Sequence, residues 1–595
     1  MCGIHVLIQP ESDGLAAIQK MMHATEHRGP DFSGFCNVEE GIFFAANRLK
    51  IQDLSDASNQ PLWSEDRSAV LVFNGELYNH PELKEILVNR GYHLDTGSDS
   101  IVLLHWLKAF GKEGIQQLKG MFAFVFADQG KKEILVSRDI SGEKPLYFHQ
   151  HGNSWIFSSE TKGILAGMKN KPKIDKTQFL PFFYYRHSMP DRSFFEEVKQ
   201  VLPGEIIILD LDGHVIQREK MVLEPNLKHE TSQNKFEEIL KEAVSKSFSA
   251  ERPFGMVLSG GADSSLLYAV AYELTGQKLP TYTVALESRL QGKYSDPHFV
   301  RIFNQQYPSE NREILVNKAT VMENWNAYIQ SMDQPIGDSA GFLTWLVAKE
   351  AKEEVKVLIS GAGADELFAG YNRHRAFRHY LNHPTLLRQI ATFSDFPFPG
   401  NLKKLVQSIS KNPEDTFIQM ATLEKIPEAY LGIFRPWYPK SEFDFKNALD
   451  WDRTFYLVND ILKIHDNSCM AHGIEGRAPY LYSDLLEFAL SQTEEELLKS
   501  KGKVFIKESL RKRGLGQIAD RKKLGFGLPL QEWMEENDFR EWVFESIRQL
   551  STNWGEIFPP EKHKYEAQPE NEEKRHFLLV WNMFILAGWL SKFSK

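Results

Sequence analysis

Read for its hydrophobic pattern, the chain changes rhythm once. Over the first two hundred or so residues, short apolar runs rich in β-formers recur at Ile4–Ile8, Ile42–Ala46, Ala69–Phe73, Phe122–Ala127, Ile134–Ser137 and Trp155–Ser158. Two helices are predicted between them. Pro81–Asn89 opens on proline and stops at Gly91, and Ser98–Phe110 carries Asp99 in its first turn and stops at Gly111. This pattern predicts sheets with helices packed outside them.

After the polar stretch Glu224–Asn234, strand and helix alternate. Phe254–Leu258, Thr281–Leu286, Glu313–Val316 and Lys356–Ile359 read as buried strands, with helical segments such as Ser265–Leu274 and Thr320–Met332 between them. Such alternation predicts a parallel sheet with crossover helices. From about Arg375 onward the text is helical and charged. The expected division is therefore two domains, 1–220 and 221–595.

Length and composition agree with this division. A chain of 595 residues exceeds a single core. At 42% hydrophobic and 25% charged it reads as an ordinary soluble globular protein. A net charge of −10 gives no basic footprint for nucleic acid or an anionic membrane. Three cysteines, Cys2, Cys36 and Cys469, cannot form a disulfide framework, so a reducing, cytoplasmic setting is expected. The apolar stretch Phe577–Leu590 is too short to span a bilayer and suits a buried helix.

Candidate chemistry appears at both ends of this plan. Cys2 follows the initiator methionine, and removal of Met1 would leave a thiol beside a free α-amine with a reference pKa of about 7.7. Nucleophile and base would then share one residue. Asn74-Gly75, just after an apolar run, has two readings: a type I′ hairpin turn, or a pair of donors for an oxyanion. Arg48 could clamp a carboxylate and Asp99 could receive an ammonium group, although each such residue is more often a surface charge or a helix cap.

The motifs MCGI, EHRGPD (Glu26–Asp31), NRLKI, NQP (Asn59–Pro61), NGELYNH, TGSDS, GMFAFVFAD, RDISGEKPLY (Arg138–Tyr147) and SSETKGIL occur in the order of the class II glutaminase domain, which this half closely resembles. The resemblance implies an α/β/β/α sandwich with an N-terminal nucleophile. Cys2 would attack glutamine, Arg48 and Asp99 would grip the ends of its backbone, Asn74 and Gly75 would form the oxyanion hole, and Glu76 would line the pocket.

In the second half, FGMVLSGGADSS (Phe254–Ser265) reads as a strand, a Ser/Gly loop and a helix. Glycines let the backbone approach a phosphate closely, and the helix start offers unpaired N–H groups. The loop lacks the lysine of a Walker motif and instead resembles the pyrophosphate loop of enzymes that split ATP to AMP. A second strand runs into SGAGADELFAGY (Ser360–Tyr371). Asp263 and Asp365 suit Mg²⁺ as hard oxygen ligands.

With AHGIEGRAPYL (Ala471–Leu481), this half resembles the synthetase domain of asparagine synthetases, an α/β ATP-pyrophosphatase fold with a helical extension. The resemblance implies that Leu258, Val284, Ser360 and Gly361 line an adenosine pocket. Ser259, Gly260, Gly261, Asp263 and Ser264 would hold pyrophosphate, and Lys507 would act on the phosphate side. It also implies aspartate and glutamine as substrates, ATP and Mg²⁺ as cofactors, an internal ammonia tunnel, and allows a homodimer.

Three departures from the family pattern fall in this half. Ala362 replaces the usual glutamate of SGEGxDE, so Glu366 or Asp338 is expected to substitute or the acceptor to differ. KIHDNSCMAH (Lys463–His472) replaces KVDRxSMAH, and PYLY replaces PFLD, with Asp484 two residues later. Three readings follow: asparagine synthesis, amidation of another carboxylate, or a degenerate synthetase kept for binding. Retention of Cys2, Arg48, Asn74 and Asp99 favours ammonia as the nucleophile in either enzymatic case.

Overall fold

The computed structural model describes residues 2–94, 97–223, 232–294, 297–392, 400–434, 443–522, 524–554 and 573–593. Met1, whose removal the nucleophile reading requires, and most of the polar stretch that separates the two rhythms lie outside these residues.

The N-terminal half is built on two six-stranded antiparallel sheets. One runs in the order Val198–Gln200, Tyr147–His151, Ser154–Ser158, Cys2–Ile8, Ile42–Arg48, Phe32–Glu39. The other runs Val215–Lys220, Glu205–Asp210, Glu133–Arg138, Gly120–Asp128, Ala69–Leu77, Leu62–Trp63. Side chains alternate across a strand, and here both faces are apolar. Ile4, Val6, Phe44 and Ala46 of the first sheet share a core with Val70, Val72, Val125 and Val136 of the second.

The opposite faces bury against helices. Leu71, Phe73, Phe124 and Phe126 pack with Leu83 and Leu87 of helix His80–Asn89 and with Val102, Leu103 and Leu107 of helix Asp99–Phe110. Leu7, Ala45 and Ile156 pack with Ala17, Ile18 and Met21 of helix Gly14–Ala24 and with Ile164 of Thr161–Gly167. The result is the α/β/β/α sandwich that the resemblance implies.

The C-terminal half holds a five-stranded parallel sheet in the order Glu310–Val316, Pro280–Leu286, Phe254–Val257, Val357–Ile359, Glu475–Arg477. Chain order runs outward from Phe254–Val257 to one side, then returns to its other side at Val357–Ile359. That reversal is a topological switch point, where open α/β sheets bind ligands beyond the carboxyl ends of their strands. Ser259–Gly261 and Ser360–Gly363 are the two loops that leave those ends. Beyond this point the described regular elements are helices, apart from strand Glu475–Arg477. The apolar segment near the C-terminus forms helix Glu573–Leu590, with Phe584 stacked on Trp325 at 4.0 Å between ring centroids. No helix among the described residues is long and apolar enough to cross a membrane.

Candidate functional site

Strand register brings the first group of residues together. Cys2 opens strand Cys2–Ile8 and lies opposite Arg48 on its neighbour. Asn74-Gly75 is not a turn: it lies within Ala69–Leu77, paired along its length with Gly120–Asp128. Gly75 is required there, because a Cβ would sit 2.1 Å from the Met121 carbonyl oxygen. The Cys2 backbone N–H donates to Asn74 Oδ1 at 3.0 Å. Asn74 Nδ2 is buried with no hydrogen-bond partner among the described residues. A buried donor left unmade is costly, and an oxyanion beside Cys2 would satisfy it.

The surrounding groups are fixed from the backbone. Arg48, 4% exposed, donates to Ser55 O and Asn59 Oδ1 at 2.8 Å each and to Asp53 O at 2.5 Å. Asp99 accepts from Leu77 N at 3.1 Å and from Ser100 N at 2.7 Å. Burial raises the pKa of the Asp99 carboxyl and of the Cys2 thiol, and Arg48 opposes the rise at Cys2. Gln60 Nε2 reaches Cys2 Sγ at 3.5 Å and Phe73 O at 2.9 Å. Gln60 sits in the NQP motif, but an amide next to proline carries no chemical signal until the fold places it on the thiol.

Glu76, expected to line the glutamine pocket, is also tied to the C-terminal half. Its carboxylate accepts from Arg477 Nη2 at 3.2 Å, and Arg477 also donates to Glu475 Oε1 at 2.6 Å and to Ser247 O and Ser249 O. Burial pushes Glu76 well above the usual carboxylate range, whereas Arg477 holds buried Glu475 down at about 2 despite desolvation. The shorter contact marks Glu475 as the arginine's principal ionic partner. A second buried contact joins the halves through Arg28, which donates to Glu160 Oε1 at 3.0 Å, to Asp466 Oδ2 at 2.8 Å and to Cys2 O at 3.4 Å. Lys144 adds a bond to Gly476 O at 3.0 Å.

At the switch point of the parallel sheet, Gly260 turns the loop at φ +66° and helix Ala262–Thr275 begins. Ser264 Oγ accepts from Ser259 N at 3.2 Å and closes the loop on itself. Arg521 caps it through Gly260 O at 2.6 Å. Gly361 comes so near that a Cβ would lie 3.0 Å from Asp263 Cβ. Leu258 and Val284 are both buried, and Leu258 N bonds to Tyr282 O, so the two strands stay in register beside the loop. Ser360 N donates to Arg477 O of the last strand at 3.0 Å.

Asp263 and Asp365 converge on one cation, the Lys503 ammonium, at 2.7 Å each. Two hard oxygen donors already closed on a cation fit a divalent ion of the Mg²⁺ kind. Lys507, the lysine singled out from the sequence, lies one turn farther along helix Val504–Lys512, with its Nζ on Ser500 O at 2.6 Å. Nothing in the text marks Lys503 over Lys507 except its place directly after a glycine at a helix start.

Of the acids expected to stand in for a glutamate at position 362, Asp338 is held in an ion pair by Arg186 of the N-terminal half. Glu366 is buried, receives the Tyr371 hydroxyl at 2.5 Å, and is raised to about 7 by burial and by neighbouring Asp365. Ala362 N donates to Ser360 Oγ at 3.5 Å. His465 is buried behind strand Glu475–Arg477 and depressed to about 4 by burial, and Asp484 pairs with Lys119 at 2.7 Å. These two departures are accommodated in packing and at the contact between halves.

A sandwich of antiparallel sheets with Cys2 at its edge, joined to a parallel sheet with an acid-bearing Ser/Gly loop, defines a two-part glutamine amidotransferase. Residues 1–219 match the family model described as a glutamine amidotransferase domain, and residues 235–591 match the one described as asparagine synthase. The chain belongs to the asparagine synthase family. It is 30% identical to asparagine synthetase [glutamine-hydrolyzing] 1 of Bacillus subtilis, over 93% of this chain and 91% of that protein. It is 27% identical to a putative asparagine synthetase [glutamine-hydrolyzing] of Mycobacterium bovis, over 92% of this chain and 90% of that one. Among solved structures, the glutamine phosphoribosylpyrophosphate amidotransferase of B. subtilis aligns at 17% identity, covering 61% of this chain and 82% of that one. Its TM-score is only 0.28.

Proposed function

We propose that this chain makes asparagine from aspartate, taking nitrogen from glutamine and splitting ATP to AMP and pyrophosphate. The observation that carries the reading is the buried, unpartnered Asn74 Nδ2 beside a cysteine whose own N–H is already held by the same side chain. The amide's NH2 group is left without a partner, and a tetrahedral oxyanion on a Cys2 adduct would supply one.

In this scheme the Cys2 thiol passes its proton to the α-amine, the thiolate attacks the glutamine carboxamide, and the amine returns the proton to the nitrogen as the C–N bond breaks and a thioester forms. Asn74 Nδ2 and the Gly75 N–H stabilise the oxyanion, while Arg48 and Asp99 hold the α-carboxylate and α-ammonium. Ammonia leaves, and water releases glutamate. In the other half the aspartate side-chain carboxylate attacks the α-phosphate of ATP, forming β-aspartyl-AMP and pyrophosphate. Ammonia then attacks the acyl carbon, loses a proton and expels AMP. The Ser259–Ser264 loop holds the departing pyrophosphate, with Leu258, Val284, Ser360 and Gly361 beside the adenosine. Asp263 and Asp365 would hold Mg²⁺, which when bound neutralises polyphosphate charge. In this reading Glu366, buried near the Ala362 loop, would take the proton.

A second reading keeps the chemistry and changes the acceptor. It is favoured by Ala362, whose methyl can neither orient an acyl adenylate nor accept a proton. The Cys2→Ala variant tests the two-site scheme. It should lose all glutamine hydrolysis yet still form asparagine from ammonium salts, ATP and aspartate. Equal loss of both activities would refute separate sites.

A further inference from the structure

Lys503 is held where it is by unusual backbone. Ser500, Lys501, Gly502 and Lys503 all adopt positive φ, at 55°, 64°, 88° and 57°, and three of the four pay the strain of a side chain there. The Lys503 N–H is fixed to Phe368 O at 2.8 Å. Glycines clear the way for its side chain: a Cβ on Gly502 would lie 2.3 Å from Ala369 O, and one on Gly370 would lie 2.1 Å from Asp365 Oδ1 and 2.2 Å from Lys503 Cε. The loop therefore delivers an ammonium to the midpoint between Asp263 and Asp365. The two aspartate side chains are 22% and 17% exposed, against 8% for Lys503.

We infer that Lys503 is a resident cation that occupies the divalent-metal position between Asp263 and Asp365, so that metal enters only with a polyphosphate that accepts the displaced ammonium. This inference rests on the proposed ATP chemistry of the same site. An ion of charge +2 arriving alone would meet a site whose two negative charges are already half neutralised, and would have to push an ammonium into water. Arriving as a nucleotide complex, it brings oxyanions to which the ammonium can turn with one change of side-chain rotamer. Lys503 is thus a positioning residue that couples metal entry to nucleotide entry.

The test is direct measurement of metal binding on the full chain. Free Mn²⁺ is titrated by electron paramagnetic resonance, with and without a non-hydrolysable ATP analogue. Without nucleotide, Lys503→Met should bind Mn²⁺ at least tenfold more tightly than the wild type, and Lys503→Arg should stay weak. With the analogue, the gap between Lys503→Met and wild type should close or reverse. Lys507→Met should bind free Mn²⁺ as the wild type does. Retained glutamine hydrolysis certifies that each variant is folded. Equal nucleotide-free affinity of wild type and Lys503→Met would overturn the inference and leave the ATP reading standing. Absence of Mn²⁺ binding in every variant, even with the analogue, would overturn both.

Discussion

Glu76 and Arg477 meet at 3.2 Å in the buried contact between the two halves, with Glu475 on the Nε of the same guanidinium. Removing the arginine alone would strand two carboxyl groups in a dry interior, which typically costs about 3–5 kcal/mol. Arg477→Met should therefore lower the melting temperature strongly. The pH dependence has a definite sign. Glu475 is held at about 2 in the folded chain against an ordinary 4.5, so its stabilisation is present above pH 4.5 and fades as pH falls toward 2. Thermal unfolding between those limits should be steeper in the wild type than in Glu475→Gln. Parallel curves would contradict this assignment.

Asn74→Ala should reduce glutamine-dependent turnover by about 10²–10³-fold, the usual effect of losing one oxyanion donor. Turnover with ammonium salts should be unaffected. Steady-state rates with the two nitrogen sources decide the matter. An equal fall in both would mean that Asn74 only supports the fold around Cys2.

Glu366→Gln should cut synthesis from ammonia by about 10²–10⁴-fold, the range for a lost general base. Ala362→Glu should be neutral or harmful, since it would set a further negative charge near Asp365 and Glu366. Pyrophosphate release reports both. A sharp gain of aspartate-dependent activity in Ala362→Glu, with Glu366→Gln unimpaired, would assign the missing role to position 362 itself.

Lys463 is buried beneath the Tyr147 ring, at 5.7 Å from its centroid, and burial lowers it to about 7. A base whose folded pKa is depressed costs stability in full below that pH, and the cost is relieved as pH rises from 7 toward 10.5. Lys463→Met should therefore stabilise the chain below pH 7, by on the order of a few kcal/mol, and flatten the rise above it. Melting temperatures measured from pH 6 to 10 give the answer. A destabilised variant with an unchanged slope would mean that the ammonium has a partner the fold depends on.

Much of the architecture could be read from the text because hydrophobic period and fold agree. Both faces of Ala69–Phe73 are apolar, as a strand between a facing sheet and a helix layer must be. The strand Glu475–Arg477 could not be read, since its three residues are two charges and a glycine. It is buried only because Arg477 satisfies Glu475 and Glu76 at once. The Asn-Gly pair was ambiguous for a related reason: its turn propensity is local, while its place within a strand depends on pairing with Gly120–Asp128. Conversely, Cys2, Arg48, Asn74 and Asp99 stand in motifs, and the fold gathers them at one end of the sandwich. Lys503 and Gln60 gain meaning only from distances, and a lysine or an amide gives no such warning in sequence.

The central claim is that one chain couples glutamine hydrolysis to adenylation of aspartate. The most direct measurement is the product balance when purified protein is mixed with amide-labelled ¹⁵N-glutamine, ATP, Mg²⁺ and aspartate. Labelled asparagine, AMP and pyrophosphate should appear in equal amounts, with glutamate at least matching them. ADP and orthophosphate in place of AMP and pyrophosphate, or no label in asparagine while another carboxylic acid is amidated, would contradict the account.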